Sequence, residues 1–534
     1  MKSGFRQSMA WLHTWTGILV SWLLYFIFVT GTLGYFDSEI DAWMAPELPP
    51  NTASVSASLN TADTHLNAYG LDAKEWRIYL PIVRSEPHLW LRYQQKNADG
   101  KLKNVSKTLN GENGEVLSPR KTGGCQALYR MHYRLHYLPR QFAYYLVGIF
   151  TAFMLLGLVT GIVVHKKIFK EFFTFRRNKG ASSWLDGHNL MSVVSLPFHL
   201  MITYSGLIMF MFTYVPFVMN ASYGFGAENK QRFFDDYYQR GAPNSPSGIA
   251  ATPLWLNTLY QRAEEVLANN KDTRRAIAIR VYHPHDSNSL AVFSLEQKSP
   301  SDDGGKLILH ATTGALYQYT PQYQGTRHVQ SVFLELHEGI FATLPVRWLY
   351  FFAGLTGSIM IASGMVLWTT KRRKKALANP QGLPFSFKLT EGLNIGTVVG
   401  LPAAIAVYFL ANRLIPVDFA HRADWEMHCF FITWLCFIAY GCWFSWRKLA
   451  AVAWYRLWLS AGFLFVLVPM VNALTTHRGL IASLQNKDTL FVAFDLVTML
   501  AALCCFTIAA KVKKHRLTAL PTCTNNTHPK EATV

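Results

Sequence analysis

Histidines recur at matching positions in two parts of the chain, and imidazole is the side chain that most often ligates metal centres. Placing His13 of "LHTWTG" over His188 of "GHNLMS" puts Thr30-Gly31 over Ser205-Gly206, with 18 residues from histidine to glycine in both copies. The equal spacing indicates an internal duplication that carries the histidines with it.

A second pair of histidines follows the same duplication more loosely. His136 of "RLHYLP" falls over His337 of "ELHEGI", and each is followed by an apolar run that closes in Thr160-Gly161 or Ser363-Gly364. The spacing from histidine to glycine differs by two residues between the copies. The repeated unit is therefore predicted to be a helix, a polar segment and a second helix.

Long apolar runs are the elements that must position these histidines. A helix needs about 20 apolar residues to cross a bilayer. The chain has eight such runs, at about 9–35, 141–164, 188–219, 347–369, 391–414, 425–446, 456–475 and 489–510. Lysines and arginines cluster before the first run and after the second, fourth, sixth and eighth. By the positive-inside rule, this pattern predicts an all-α polytopic membrane protein with both termini in the cytoplasm.

The predicted topology sorts the four histidines by depth. His13 and His188 open outward-running helices near the cytoplasmic face, whereas His136 and His337 open inward-running helices near the external face. Two neutral imidazoles at one depth on facing helices are what a six-coordinate haem iron requires. We therefore predict two b-type haems, one per pair, that carry electrons across the membrane. The alternative is that each histidine is an ordinary interfacial polar residue.

Other histidines compete with this ligand assignment. His199 lies mid-span, where an ionisable group is costly and by default functional. It could ligate a haem, bond a propionate or line a proton path. His165 is an alternative to His188, and His132, one helical turn before His136, is an alternative to His136. His328 stands in the same relation to His337.

The sequence does not assign a function to several charged residues in or near the spans. Near the external end, arginines could pair with haem propionates or with an anionic substrate, or could simply anchor the interface; they are Arg134, Arg140 and Arg347. Asp495 is an intramembrane charge for which the sequence indicates no role.

Two polar segments, 36–140 and 220–346, are too long for simple loops and contain alternating stretches typical of strands. Each ends in a hairpin-like stretch, with Gly114 in "LNGENGEVL" and Gly314 in "HATTGALY" at the turn. Glycine supplies the positive φ that such turns need. We expect two α+β domains outside the membrane.

The predicted organisation follows from the spans and the segments between them. It comprises a first span (1–35), a first external domain (36–140), two spans with a basic cytoplasmic loop (141–219), a second external domain (220–346), a fourth span (347–372), a cytoplasmic linker (373–390), a C-terminal four-helix membrane bundle (391–510) and a cytoplasmic tail (511–534).

Charge and cysteine content exclude several other classes of protein. The formal net charge of +19 lies where membrane orientation predicts it, so it does not indicate a nucleic-acid partner. Of the seven cysteines, Cys125 alone falls in an external segment, so no disulfide framework is expected. The sequence shows no dinucleotide, flavin or phosphate-loop fingerprint.

The stretches "LHTWTG", "RLHYLP", "DGHNLMSVVSLPFHL" and "LHEGIFATLP", with the two hairpin stretches, resemble the PepSY-associated transmembrane family over about residues 8–372. The resemblance implies PepSY-like periplasmic domains in a bacterial inner-membrane protein. It also implies that the family's histidine positions are His13, His136, His188 and His337. Some members act as haem-containing ferric-siderophore reductases.

The function expected from these features is transmembrane reduction of a ferric siderophore or other ferric chelate in the periplasm. The electron donor would be a cytoplasmic reductase or a membrane quinol, and membrane lipid would surround the helices. A permease for iron chelates or another solute, without redox chemistry, is one alternative. A sensory protein whose external domains bind a partner is another.

Overall fold

A computed structural model describes residues 4–82, 84, 87–96, 101–165, 176, 179–238 and 244–518. Lys166, Lys167 and Lys170 of the predicted basic loop and most of the predicted tail lie outside these residues. The chain divides into two compact units, Met1–Gly364 and Met365–Val534. The first unit contains both copies of the repeat, and the second contains the predicted C-terminal bundle.

Within the described residues, seven helices are long and apolar enough to cross a membrane, and a bent pair brings the number to eight if it forms one span. This agrees with the eight predicted spans of a polytopic membrane protein. The helices of the first unit, in chain order, are α1 (Phe5–Leu33), a 3₁₀ turn (Gly34–Phe36), α2 (Asp37–Met44), α3 (Val55–Tyr69), α4 (Gly124–Arg134), α5 (Arg140–Val164), α6 (Ala181–Val194), α7 (Leu196–Met209), α8 (Met211–Tyr214), α9 (Phe217–Tyr223), α10 (Ala227–Tyr238), α11 (Leu256–Asn269), α12 (Gly325–Glu338) and α13 (Leu344–Leu377), which runs on into the second unit.

The third predicted span is not a straight helix. It consists of α6 and α7, which meet at Ser195 with a bend of 68°. Pro197 lies in the first turn of α7, where its missing N–H is tolerated, whereas a continuous helix would lose a hydrogen bond there. The first span has no proline at the matching place and α1 runs unbroken. The bend therefore makes the two copies unequal.

The two polar segments form one antiparallel sheet. Its strands are β1 (Glu75–Tyr79), β2 (Leu89–Lys96), β3 (Leu102–Leu109), β4 (Val116–Leu117), β5 (Ala276–Tyr282), β6 (Leu290–Leu295), β7 (Lys306–His310) and β8 (Leu316–Thr320). The order β4-β3-β2-β1-β5-β6-β7-β8 places the two copies edge to edge, joined by β1 and β5. The two expected domains thus share a single eight-stranded sheet.

A single apolar core lies between this sheet and the helices α3 and α11. Every second residue of β1, β2 and β6 points into the core, as Trp76 and Ile78 do on β1 and Phe293 does on β6. Leu59 of α3 and Leu259 of α11 cover them and are fully buried. The opposite face of the sheet carries the polar alternate residues.

The two hairpins that close the copies have the same turn, as predicted. Gly114 has a φ of 74° and Gly314 has a φ of 72°. Their N–H groups donate to the carbonyls of Asn110 (2.9 Å) and His310 (2.8 Å), each four residues earlier. The matching geometry supports the duplication at the level of backbone hydrogen bonds.

The second unit is helical throughout its described length. After the end of α13 it contains α14 (Phe385–Leu414), α15 (Arg422–Trp446), α16 (Ala450–Thr475), the short α17 (Leu480–Gln485) and α18 (Thr489–Thr518). The predicted linker 373–390 is short and packed, because Leu383 and Phe387 are buried against Ala376. Arg373 also pairs with the buried carboxylate of Glu391.

A buried polar network connects four helices of this unit. The Arg422 guanidinium pairs with the Glu426 carboxylate, and both side chains are fully buried. The amide of Asn412 donates to the same carboxylate (2.9 Å), and Arg413 donates to Asn472 (2.9 Å). Asp495, the intramembrane charge seen in the sequence, accepts from the Asn472 amide at 3.4 Å. These contacts give Asp495 polar neighbours within the bundle.

Candidate functional site

The structure brings together one of the predicted histidine pairs. The imidazoles of His13 on α1 and His188 on α6 face each other with ring centroids 6.3 Å apart. They lie at matched positions of the two copies, as the repeat predicts.

At the other end of α1 the second pair consists of His132 and His337. His132 lies on α4 and His337 on α12, with ring centroids 5.9 Å apart. The predicted partner, His136, lies in the turn after α4, where its ring packs on Tyr137 with centroids 4.3 Å apart. The pairing is therefore corrected from His136 to His132, which the sequence had offered as the alternative.

The correction has a physical reason and a sequence signal. Helix α4 ends at Arg134, so His136 is no longer on the helix, whereas His337 lies within α12. The next helix begins beside a proline in each copy, Pro139 and Pro345. Counted back from that proline, His132 is 7 residues away, His337 is 8 and His136 is only 3. Alignment on the prolines would have selected His132.

Three of the four imidazoles are held in the same way, by a hydrogen bond from Nδ1 to a backbone carbonyl that lies four residues before a glycine of a neighbouring helix. The acceptors are Gly157 for His13 (3.0 Å), Met360 for His188 (2.9 Å) and Ile27 for His132 (2.8 Å), and the glycines are Gly161, Gly364 and Gly31 respectively. Nδ1 of His337 instead meets the hydroxyl of Ser205, the residue before Gly206, at 2.9 Å. A carbonyl can only accept, so Nδ1 carries the proton and the neutral ring keeps its lone pair on Nε2.

The glycines leave room for the rings. A Cβ built on Gly31 would lie 2.5 Å from Nδ1 of His132, and one on Gly206 would lie 3.2 Å from Cε1 of His337. On Gly364 it would lie 3.2 Å from the His188 ring and on Gly161 3.4 Å from the His13 ring. The Ser/Thr-Gly pairs of the sequence repeat are thus the surfaces against which the histidines pack.

Hydroxyls that precede these glycines lie beside the rings. Ser205 Oγ is 2.9 Å from Nδ1 of His337, and Thr160 Oγ1 is 3.2 Å from Nδ1 of His13. Each hydroxyl donates its own proton to a carbonyl of its helix, Met201 or Leu156 respectively, at 2.7 Å. Both hydroxyls therefore accept from the imidazoles and reinforce the same tautomer.

The pair formed by His132 and His337 is neutral at physiological pH. Burial lowers the pKa of His132, and burial together with the neighbouring His132 lowers the pKa of His337 to about 3. A bridge from Tyr129 of α4, whose hydroxyl donates to Glu338 of α12 at 3.1 Å, joins the two helices beside the pair. Neutral imidazole is the form that ligates a metal.

The remaining predicted site residues lie outside both pairs. His199 is fully buried, its Nε2 donates to the Ala353 carbonyl (3.2 Å), and its Nδ1 has no partner among the described residues. His165 caps the end of α5, four residues after Gly161. Arg134 is exposed at the end of α4, and Arg347 pairs with Glu39 at 2.6 Å.

The two pairs are separated by most of the thickness of a membrane. His13 and Ile27, whose carbonyl holds His132, are 14 residues apart on the unbroken helix α1. At 1.5 Å per residue this is about 21 Å along the helix axis, against a hydrocarbon core of about 30 Å.

The separation within each pair suits one metal between two imidazoles. A metal–imidazole bond of about 2 Å, plus about 1 Å from the nitrogen to the ring centre, predicts a centroid separation of about 6 Å. The observed values are 6.3 and 5.9 Å. Among the described residues, no group of three or more His, Cys, Asp or Glu side chains could hold a metal ion. The spacing of the two imidazoles in each pair is compatible with a metal that a macrocycle already holds.

Comparison with known protein families agrees with this repeat. The model of the PepSY-associated TM region matches residues 10–371, a range that includes both histidine pairs, both Ser/Thr-Gly sets and the whole sheet. No curated protein matches the chain. Because the match covers about two thirds of the sequence, the chain belongs to the PepSY-associated transmembrane family.

Proposed function

We propose that the protein is a b-type dihaem cytochrome of a bacterial inner membrane that reduces a ferric chelate in the periplasm. His13 with His188 would hold one haem, and His132 with His337 would hold the other. The observation that carries the proposal is the repeated geometry of the four imidazoles. In His13, His188 and His132, Nδ1 donates to a backbone carbonyl, and in His337 it donates to the Ser205 hydroxyl, so each ring keeps its lone pair on Nε2.

Each bound haem would supply a one-electron redox centre at its pair. The chain contributes the rest. The carbonyls of the neighbouring helices fix each imidazole tautomer and orient each ring. The apolar spans that carry the histidines would keep water from the path between the pairs. The separation of about 21 Å along α1 covers most of the bilayer core.

The net reaction moves one electron from a donor on the cytoplasmic side, either a reductase or a membrane quinol, to iron(III) of the chelate. The iron becomes iron(II), and hard oxygen ligands bind iron(II) less tightly than iron(III). Reduction would therefore aid release of the iron. The eight-stranded sheet, placed in the periplasm by the predicted topology, would present the surface on which the chelate docks.

The proposal is tested by an absorption spectrum of the protein purified from haem-replete cells. We expect the split α and β bands of a reduced low-spin haem, and pyridine haemochrome quantitation of about two haems per chain. The double variant H13A/H188A should keep one haem and lose electron transfer from the cytoplasmic side. A colourless wild-type protein would contradict the proposal, and solute uptake that survives H13A/H188A would favour the permease.

A further inference from the structure

Three arginines stand side by side on the sheet face opposite the apolar core. Arg77 of β1 lies directly across from Arg92 of β2 and from Arg280 of β5. Residues that face each other across antiparallel strands project from the same side, with Cα atoms about 5 Å apart. The three side chains therefore form a row about 10 Å long, at the seam where the two copies of the sheet join.

The row carries an excess of positive charge that the fold does not neutralise. Glu75 pairs with Arg77 and lies 4.0 Å from Arg280, and it is the single acidic residue in the eight described strands. The same strands contain seven lysines and arginines. Arg92 has no hydrogen-bonding or ionic partner in the part of the chain that the structure describes. Like charges directly opposite one another destabilise a sheet, so the row is costly to the fold alone.

Aromatic side chains flank the row on the same face. The rings of Tyr79 and Trp90 pack edge to face at 5.2 Å on one side of it. On the other side, the Tyr282 hydroxyl accepts from Arg280 at 2.7 Å. The side chains of Arg77 and Arg280 remain 31% exposed. Accessible guanidinium groups beside aromatic rings bind planar anions through paired hydrogen bonds and stacking.

This face is connected to the pair formed by His132 and His337. Lys306 of β7 lies on the face that carries Arg280, because Val292 of β6 pairs with both Arg280 and Ile308, two residues from Lys306. Burial lowers the pKa of Lys306, and so do the nearby cations Arg327 and Arg280. Arg327 lies in the first turn of α12, and His337 follows ten residues later on the same helix. About 15 Å of helix α12 therefore separates Arg327 from His337.

We propose that the row formed by Arg77, Arg92 and Arg280 is the docking site for a trianionic iron(III) chelate built from aromatic catecholate groups. This inference rests on the proposed function and names its substrate class. Charge complementarity selects an anion over an uncharged hydroxamate chelate. The flanking Tyr79 and Trp90 favour aromatic ligand groups over a bare phosphate.

The test is a binding titration of the full-length protein with the gallium(III) complex of a hexadentate tris-catecholamide. Gallium(III) has the charge of iron(III) and is not reduced, so binding is measured apart from electron transfer. We expect R92Q to weaken binding about fivefold to tenfold, and the triple variant R77Q/R92Q/R280Q to weaken it at least a hundredfold. Added salt should weaken wild-type binding, and an uncharged gallium(III) tris-hydroxamate should bind poorly.

The matched control is R262Q, which also removes one positive charge. Arg262 lies on α11, against the other face of the sheet, and its side chain is 57% exposed. It should bind the complex as the wild type does. Equal binding by R92Q, the triple variant and R262Q would overturn the proposal. Complete displacement by millimolar inorganic phosphate would also overturn it, because the site would then be a general anion patch. R92Q guards against misfolding of the triple variant, since Arg92 has no described partner to lose.

Haem content of the same samples separates the two proposals. If the protein carries no haem but its binding of the gallium complex depends on the arginines, the docking site is supported and the proposed reductase is contradicted. If the protein carries two haems per chain but its binding does not depend on the arginines, the reductase is supported and the docking site is contradicted.

Discussion

Replacement of Gly31 by alanine should loosen the haem that we assign to His132 and His337. A Cβ at this position would lie 2.5 Å from Nδ1 of His132, whereas ordinary contact begins at 3.4 Å. The ring must therefore retreat by about 0.9 Å. The bond from Nδ1 to the Ile27 carbonyl, now 2.8 Å, would lengthen by up to this amount, to at most about 3.7 Å, where it is no longer a hydrogen bond.

The size of the effect follows from the loss of this orienting bond. Removal of a hydrogen bond that orients a metal-ligating histidine typically costs 10-fold to 100-fold in metal affinity, or about 1.4–2.7 kcal/mol. Because affinity changes within one site appear mainly in the dissociation rate, we expect one of the two haems to leave G31A about 10–100 times faster. The second haem, held by His13 and His188, should leave at the wild-type rate.

The assay is transfer of haem to excess apomyoglobin, followed by absorbance, with total haem measured as the pyridine haemochrome. The control is G17A on the same helix, because a Cβ on Gly17 would meet nothing within 4 Å. Glycine-to-alanine replacement inside a helix is otherwise favourable by about 1 kcal/mol, so G17A should be as stable as the wild type or more so. Haem loss from G31A that matches G17A in both phases would refute the assignment of His132.

Three further predictions follow from other contacts. H199L should retain two haems per chain, measured as the pyridine haemochrome. Nε2 of His199 already donates to the Ala353 carbonyl, and Leu24 occupies the matching position of the other copy. Loss of one haem from H199L would make His199 a ligand. Asp63 is 3% exposed, and its carboxylate accepts a hydrogen bond from the Leu256 N–H. Burial raises the pKa of this residue from 3.8 to about 7. The folded state therefore binds a proton that the unfolded state releases, so this residue lowers the free energy of unfolding as pH rises from about 4 to about 7. In thermal melts, the melting temperature of D63N should rise relative to that of the wild type between pH 5 and pH 8. A difference in melting temperature that does not change with pH would contradict the raised pKa of Asp63. R422M should cost about 3–5 kcal/mol by stranding the buried Glu426 carboxylate, and R422M/E426M should recover most of it; equal melting temperatures for the single and double variants would contradict this pairing.

The spans and the hairpins were predictable because each depends on local sequence. An apolar run of about 20 residues has few alternatives to a membrane helix, and Gly114 and Gly314 supply the positive φ of their turns. The bend between α6 and α7 was visible only as Pro197 within an apolar run that otherwise continues. Span length alone does not reveal such a break.

Joining of the two copies into one sheet could not be predicted. The contact between Tyr79 and Ala278 pairs residues almost 200 positions apart, and alternation along a strand says which face is buried but not which edges meet. Separate domains would each have left an unpaired edge at β1 or β5, and edge strands are prone to pair. Their union buries both edges.

The histidine site was predictable as a repeat but not in every ligand. Matched spacing identified His13 and His188, and the structure brings their rings together. The choice between His132 and His136 depends on where α4 ends, and helix ends are the least certain part of a sequence-based assignment. The hydrogen bonds that hold the rings beside these glycines are tertiary contacts that no sequence spacing displays.

Haem content of three matched variants tests whether His132 and His337 hold a haem together. H132A, H136A and H337A would be purified from haem-replete cells and assayed together by pyridine haemochrome and by reduced absorption spectra. We expect about two haems per chain in wild type and H136A, and about one in both H132A and H337A. Two haems in H132A, or one haem in H136A alone, would contradict the pairing of His132 with His337.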